Sequence, residues 1–133
     1  MKHFGPPPSI DELESIAREA FAAIPKALRL HARDVVIRVQ DFPDDEVLDD
    51  LECESAFDLL GLYQGVDLTR KSVSDVPRQP DMVYLYRRPI LDYWAEFDET
   101  LEAIVAHVLI HEIGHHVGFS DEDMERLEAE AGA

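Results

Sequence analysis

From Ile10 onward the chain places apolar residues at 10, 13, 16, 17, 20 and 21, with charged residues between them. That spacing predicts an amphipathic helix running to about Ala23, with Ile10, Leu13, Ile16, Ala17, Ala20 and Phe21 on its inner face. Ser9, with Glu12 three residues later, forms a capping box at its start, and Pro25 lies near its end. GPPP at 5–8 is a stiff leader that cannot be helical. DVVIRVQDFP, 34–43, is rich in β-branched residues and stops at proline, which predicts a strand over Val35 to Val39. The acidic DDEVLDDLE that follows reads as a short helix.

DLLGLYQGVDL, 58–68, is a second apolar stretch between glycines, either a strand or a strand with a turn. RKSVSDVPRQP is a loop by composition. MVYLYRRPI, 82–90, alternates like a third strand and is closed by Pro89. The longest predicted helix spans Asp98 to Val117. Its segment LEAIVAHVLIHEIG is apolar almost all round, so it belongs in the middle of the domain. SDEDMERLEAEAGA then has the pattern of an amphipathic helix. Without internal repeats, these elements predict one α/β (α+β) domain over 1–133, with 1–8 as leader and a sheet of three or four strands.

Composition narrows the partners. The 29 acidic and 12 basic side chains give a formal charge of −17. Such a surface repels nucleic-acid phosphates and anionic membranes, and it suits a soluble cytoplasmic protein. It can also steer cationic peptides toward an acidic cleft. The single cysteine, Cys53, excludes an intrachain disulfide and a Cys-rich zinc site; it is expected as a small buried residue. The N-terminus, MKHFGPPPSIDELES, has no apolar stretch of signal-peptide length, and no uncharged apolar run is long enough to cross a membrane. Oligomeric state is left open by these features.

The candidate chemistry lies in HEIGHHVGFSD, 111–121. On a helix His111 and His115 stand one turn apart on one face, so two imidazoles can converge on one ion. Glu112 is rotated by about 100° from His111. It therefore sits beside the metal, placed to take a proton from a metal-bound water. Gly118 can adopt the left-handed conformation that ends a helix and turns the chain back, returning an Asp121 oxygen to the ion. With 6 histidines in the chain, the number of H-E-x-x-H matches expected by chance is roughly 0.03. Coincidence is a poor explanation.

HEIGHHVGFSDEDM resembles the H-E-x-x-H-x-x-G-x-x-D signature of the minimal zincin-like metallopeptidases. LLGLYQGVDLTRKSV and DMVYLYRRPIL are similar to upstream segments of that family, so the likeness covers most of 35–127. It implies a zincin-like fold around a central zinc-binding helix. It also implies one Zn2+ per chain on His111, His115 and Asp121, with Glu112 as base. The Gly-x-x-Asp ending is similar to that of metzincins, whose third ligand is usually histidine and sometimes aspartate. They carry a methionine turn well downstream, whereas here 12 residues follow Asp121, and Met124 lies too close to replace it.

Some alternatives stay open. Ser120 and Asp123 approximate a capping box, with Phe119 and Met124 as a staple, so Asp121 could serve only as a helix-start acid. Glu125 competes as third ligand. His107 extends the histidine stripe, but 107 and 115 lie about 12 Å apart along a helix, too far for one ion, so it is expected as a core or cleft residue. His116 is expected near the site or exposed, and His3 and His31 have no constellation around them. Tyr63, Tyr84, Tyr86, Arg87 and Arg88 are candidates for an oxyanion donor. A peptide or protein substrate would lie along a sheet edge, taken here to be the strand at 82–87. The leading function is a zinc metallopeptidase. The alternative is a non-catalytic zinc-binding protein that uses its site to bind a partner.

Overall fold

The computed structural model describes residues 5–65 and 81–118, together with Glu122 and Arg126. The segment RKSVSDVPRQP, the terminal amphipathic stretch as a whole, and Asp121, Asp123, Met124 and Glu125 lie outside the described residues.

The first helix, α1 (Ile10–Ala23), starts as its sequence predicts. Glu12 N–H donates to Ser9 Oγ at 3.1 Å, and Ser9 N–H donates back to the Glu12 carboxylate at 3.4 Å. Leu13 and Ala17 are buried, with Ile10, Ile16, Ala20 and Phe21 packed around them. A short α2 (Lys26–Leu30) follows, with Pro25 as its N-cap. Five residues are too few to show a period, and of its two leucines Leu28 is fully buried while Leu30 is exposed.

Three strands form one sheet among the described residues: β1 (Val36–Gln40), β2 (Gly61–Gln64) and β3 (Met82–Tyr86), in the order β1-β3-β2. The short acidic helix α3 (Asp45–Asp50) lies between β1 and β2 in the chain. β3 runs parallel to β1 and antiparallel to β2, with Leu85 opposite Gly61 and Val83 opposite Tyr63. The strand over 82–87 is therefore central, which corrects its expected place at the sheet edge. Alternating apolar residues suit any strand covered on one face, central or edge, so the pattern could not decide. Among the described residues, the sheet edge nearest the candidate metal helix belongs to β2.

A second correction concerns Pro89. The strand ends at Tyr86, and Arg87, Arg88 and Pro89 open α4 (Arg87–Glu96). Proline is tolerated in a first helical turn because the N–H it lacks has no partner there. Arg87 ties the strand-to-helix junction down, donating to Pro8 O at 2.6 Å and to Asp41 Oδ1 at 3.0 Å.

The long helix α5 (Leu101–Val117) begins at Thr100, whose Oγ1 accepts from Ala103 N–H at 3.1 Å. It packs against α1 on one side and against β2 and β3 on another. Leu101, Ile104, Val105, Leu109 and Ile113 are buried in this core, as the nearly continuous apolar pattern requires. Gly118 closes the helix in the left-handed conformation, φ 77° and ψ 22°, its N–H directed at Gly114 O and His115 O. Among the described residues no helix is long and apolar enough to cross a membrane.

Candidate metal centre

The last two turns of α5 bring His111, Glu112 and His115 together, with one potential ligand atom from each lying within 4.8 Å of the others. The two imidazoles meet edge to face, ring centroids 4.8 Å apart, as the one-turn spacing predicts. His111 is half-buried and His115 exposed, so the pair opens onto the surface, whereas Glu112 is only 9% exposed. Two imidazoles on one helix face, with a carboxylate held beside them, form a donor set suited to a zinc ion. Asp121, the expected third ligand, lies outside the described residues.

Glu112 is fixed from two sides. Its Oε1 accepts from Tyr63 N–H at 3.0 Å and stands 3.3 Å from His115 Nδ1. The Tyr63 contact follows from the strand register. Leu60 O accepts from Tyr86 N–H, so Leu60, Leu62 and Gln64 turn their peptide groups toward β3. Gly61 and Tyr63 then turn theirs outward, and the outward Tyr63 N–H reaches the Glu112 carboxylate.

This approach requires glycine at 61. A Cβ there would lie 2.5 Å from Val108 Cγ1, 3.1 Å from Tyr84 O and 3.4 Å from Glu112 Cγ. Gly61 thus lets the edge strand lie directly on the metal helix, the close backbone approach for which strands use glycine.

Of the two settings expected for His116, near the site or exposed, the structure gives the first. His116 is 2% exposed and bonded at both ring nitrogens, Nε2 to His31 O at 3.1 Å and Nδ1 to the Tyr63 hydroxyl at 3.0 Å. A carbonyl only accepts, so Nε2 carries a proton; a neutral ring then accepts the Tyr63 hydroxyl proton at Nδ1. Asp81 Oδ2 lies 3.6 Å from the same Nδ1. Helical geometry correctly turned His116 away from His115, but the direction it faces is filled by β2 and the residue-31 turn rather than by water. His31 itself contributes its carbonyl.

The other sequence candidates separate. His107 is exposed and stands in the cleft wall, one turn before His111, outside the metal cluster. Cys53 is half-buried with a free thiol. Tyr63 directs its hydroxyl to His116, and Arg87 anchors Asp41 and Pro8. Arg88 lies over the Phe42 ring, 5.7 Å from its centroid. Gly61 faces α5 and pairs with Leu85, so Tyr84 and Tyr86, one residue to either side, point to the opposite sheet face. Their rings stack there, 6.3 Å apart. Burial pushes the Tyr86 hydroxyl well above the usual tyrosine range, with the charges of Asp44, Tyr84 and Glu112 acting in the same direction.

None of the five oxyanion candidates, Tyr63, Tyr84, Tyr86, Arg87 and Arg88, lines the cleft at His111, but Tyr93 of α4 does. Reading MVYLYRRPI as a single strand hides the helix that carries it. The Y-W-A-E stretch after RRPIL, taken as a continuing helical period, is the signal that would have found it.

Residues 32–131 match the family model described as zincin-like metallopeptidase. No curated protein matches the chain.

Proposed function

Because the chain belongs to the zincin-like metallopeptidase family, we propose that it hydrolyses peptide bonds, with Glu112 as general base and one Zn2+ held by His111, His115 and Asp121. Zinc bound there supplies a Lewis acid that polarises the scissile carbonyl and acidifies water. The observation that carries the reading is the setting of Glu112, a nearly buried carboxylate fixed between Tyr63 N–H and His115 beside an open imidazole pair. A site that only held metal would have little use for a third, restrained carboxylate at that position.

With Oε1 held by the Tyr63 N–H, the Glu112 carboxylate takes up the proton of the attacking water. Glu112 then carries that proton to the leaving amine. The outward peptide groups of Gly61 offer an extended substrate a strand to pair with, so β2 replaces β3 as the edge that receives it. A single cysteine, unable to form an intrachain disulfide, accords with work in the cytoplasm.

The test is Glu112→Gln in zinc-loaded protein. It should keep one zinc per chain and lose hydrolysis by about 10² to 10⁴, the usual worth of a general base. Wild-type protein that binds zinc and cuts nothing in a diverse peptide library would overturn the enzymatic reading in favour of partner binding.

A further inference from the structure

Along α5 a cleft of about 280 Å³ runs from His111 and Glu112 toward the start of the helix. It is too small for most whole ligands, which occupy roughly 300–1,000 Å³, and suits one long side chain. Its walls are largely apolar, formed by Leu59, Leu60, Ile104 and Val108, with His107 beside them one turn before His111. Ile104 precedes His111 by seven helical residues, so the cleft extends roughly 10 Å along the axis. Near its distal end stand Glu99, just before the helix cap, and Tyr93, whose hydroxyl is hydrogen-bonded to Glu99. Among the described lining residues there is no lysine or arginine.

We propose that this cleft is a specificity subsite for a lysine or arginine side chain of the substrate, with Glu99 as its counter-charge. The inference rests on the peptidase reading and gives it a substrate class. An aliphatic stem would lie on Leu59, Leu60, Ile104 and Val108, as long basic side chains do on apolar surface. Its cationic head would reach Glu99, away from the end where the metal's own charge opposes it. Tyr93 orients the Glu99 carboxylate and flanks the head with an aromatic ring. The net charge of −17 draws such peptides toward the protein before any contact is made.

The decisive experiment measures binding and cleavage separately. Acetylated, amidated peptides that differ at one position, lysine, norleucine or glutamate, are titrated into zinc-loaded protein by calorimetry. The same peptides are then assayed for hydrolysis. Norleucine preserves the stem and removes the charge. Lysine should bind roughly three- to fivefold more tightly than norleucine, as expected of an ion pair to an exposed carboxylate, and glutamate most weakly. Glu99→Gln should erase the lysine preference, and Glu99→Arg should reverse it toward glutamate. Equal affinity for lysine and norleucine, a preference that survives in Glu99→Gln, or no binding by any peptide would overturn the subsite. A lysine preference without hydrolysis would retain the subsite and remove the catalytic reading. Hydrolysis without the preference would do the opposite.

Discussion

Adding one methyl group at Gly61 probes how closely the edge strand rests on the metal helix. In Gly61→Ala the new Cβ would fall 2.5 Å from Val108 Cγ1 and 3.1 Å from Tyr84 O. Neither neighbour yields easily. One is a backbone oxygen in the central strand, and the other belongs to a β-branched side chain that has essentially one rotamer in a helix. Overpacking of this kind costs about 1–3 kcal/mol. Replacing glycine stiffens the unfolded chain and returns about 0.4–1 kcal/mol. The net loss is then about 1–2 kcal/mol. At a urea dependence of about 1–3 kcal/mol per molar, the denaturation midpoint should fall by roughly 0.5 M. The zinc-free protein, followed by circular dichroism, is the appropriate sample, because bound metal would add its own stabilisation. Val108→Ala removes the colliding Cγ1, so in that background Gly61→Ala should cost markedly less, the 3.1 Å approach to Tyr84 O alone remaining. The cycle should give a coupling of at least about 1 kcal/mol. Because the added Cβ also lies 3.4 Å from Glu112 Cγ, hydrolysis should fall more than zinc affinity. Additive single and double variants, or a Gly61→Ala protein as stable as wild type, would refute the reasoning.

Further outcomes are expected. His111→Ala and His115→Ala should each abolish stoichiometric zinc by metal analysis while His107→Ala keeps it. Asp121→Ala should weaken zinc binding with Asp121→His restoring it, and loss on Glu125→Ala instead would identify the helix glutamate as third ligand. Tyr63→Phe should lower stability by about 1–3 kcal/mol, because it strips the buried His116 Nδ1 of its hydroxyl partner; an unchanged urea midpoint would show that the bond contributes nothing. The Tyr86 hydroxyl, raised above the ordinary value near 10, keeps its proton in the folded state longer than in the unfolded chain. Its contribution is complete below about pH 10 and is lost as pH rises from there toward the folded value. Tyr86→Phe should therefore flatten the alkaline limb of the stability profile, and an unchanged limb would contradict this.

What the sequence made legible was whatever a local rule could decide. Ser9 and Glu12 marked a helix start, the long apolar segment marked the buried helix, and H-E-x-x-H marked the face on which two imidazoles meet. Gly118 marked the turn. Each inference depended on residues within about two turns of one another. The missed features depended on what approaches from elsewhere in the chain. Pro89 has the same local meaning at a strand end and in a first helical turn, so α4 and Tyr93 escape together. The MVYLY alternation is blind to neighbours on both sides, and so cannot tell a central β3 from an edge. His116 points away from the metal face, and only the arrival of Tyr63 and the His31 carbonyl makes that direction an interior one. Gly61 reads as punctuation between elements. In the fold it opens β2, where the absence of a side chain brings Tyr63 N–H to Glu112.

The left-handed stop at Gly118 also has an electrostatic consequence. Aligned peptide dipoles along the 17 residues of α5 leave the equivalent of about half a negative charge near its last turn. His115 belongs to that turn and His111 to the one before it. A dication held by this pair would thus sit close to the negative pole of the helix, an advantage on the order of 0.3–2 kcal/mol before any ligand bond is counted. The Gly118 N–H, directed at the carbonyls of Gly114 and His115, neutralises part of that pole and fixes the rest. If the helix ran on, the pole would move by about 1.5 Å with every added residue, away from the imidazoles. One residue without a side chain therefore sets both the direction in which the chain leaves the site and the field in which a metal would be held.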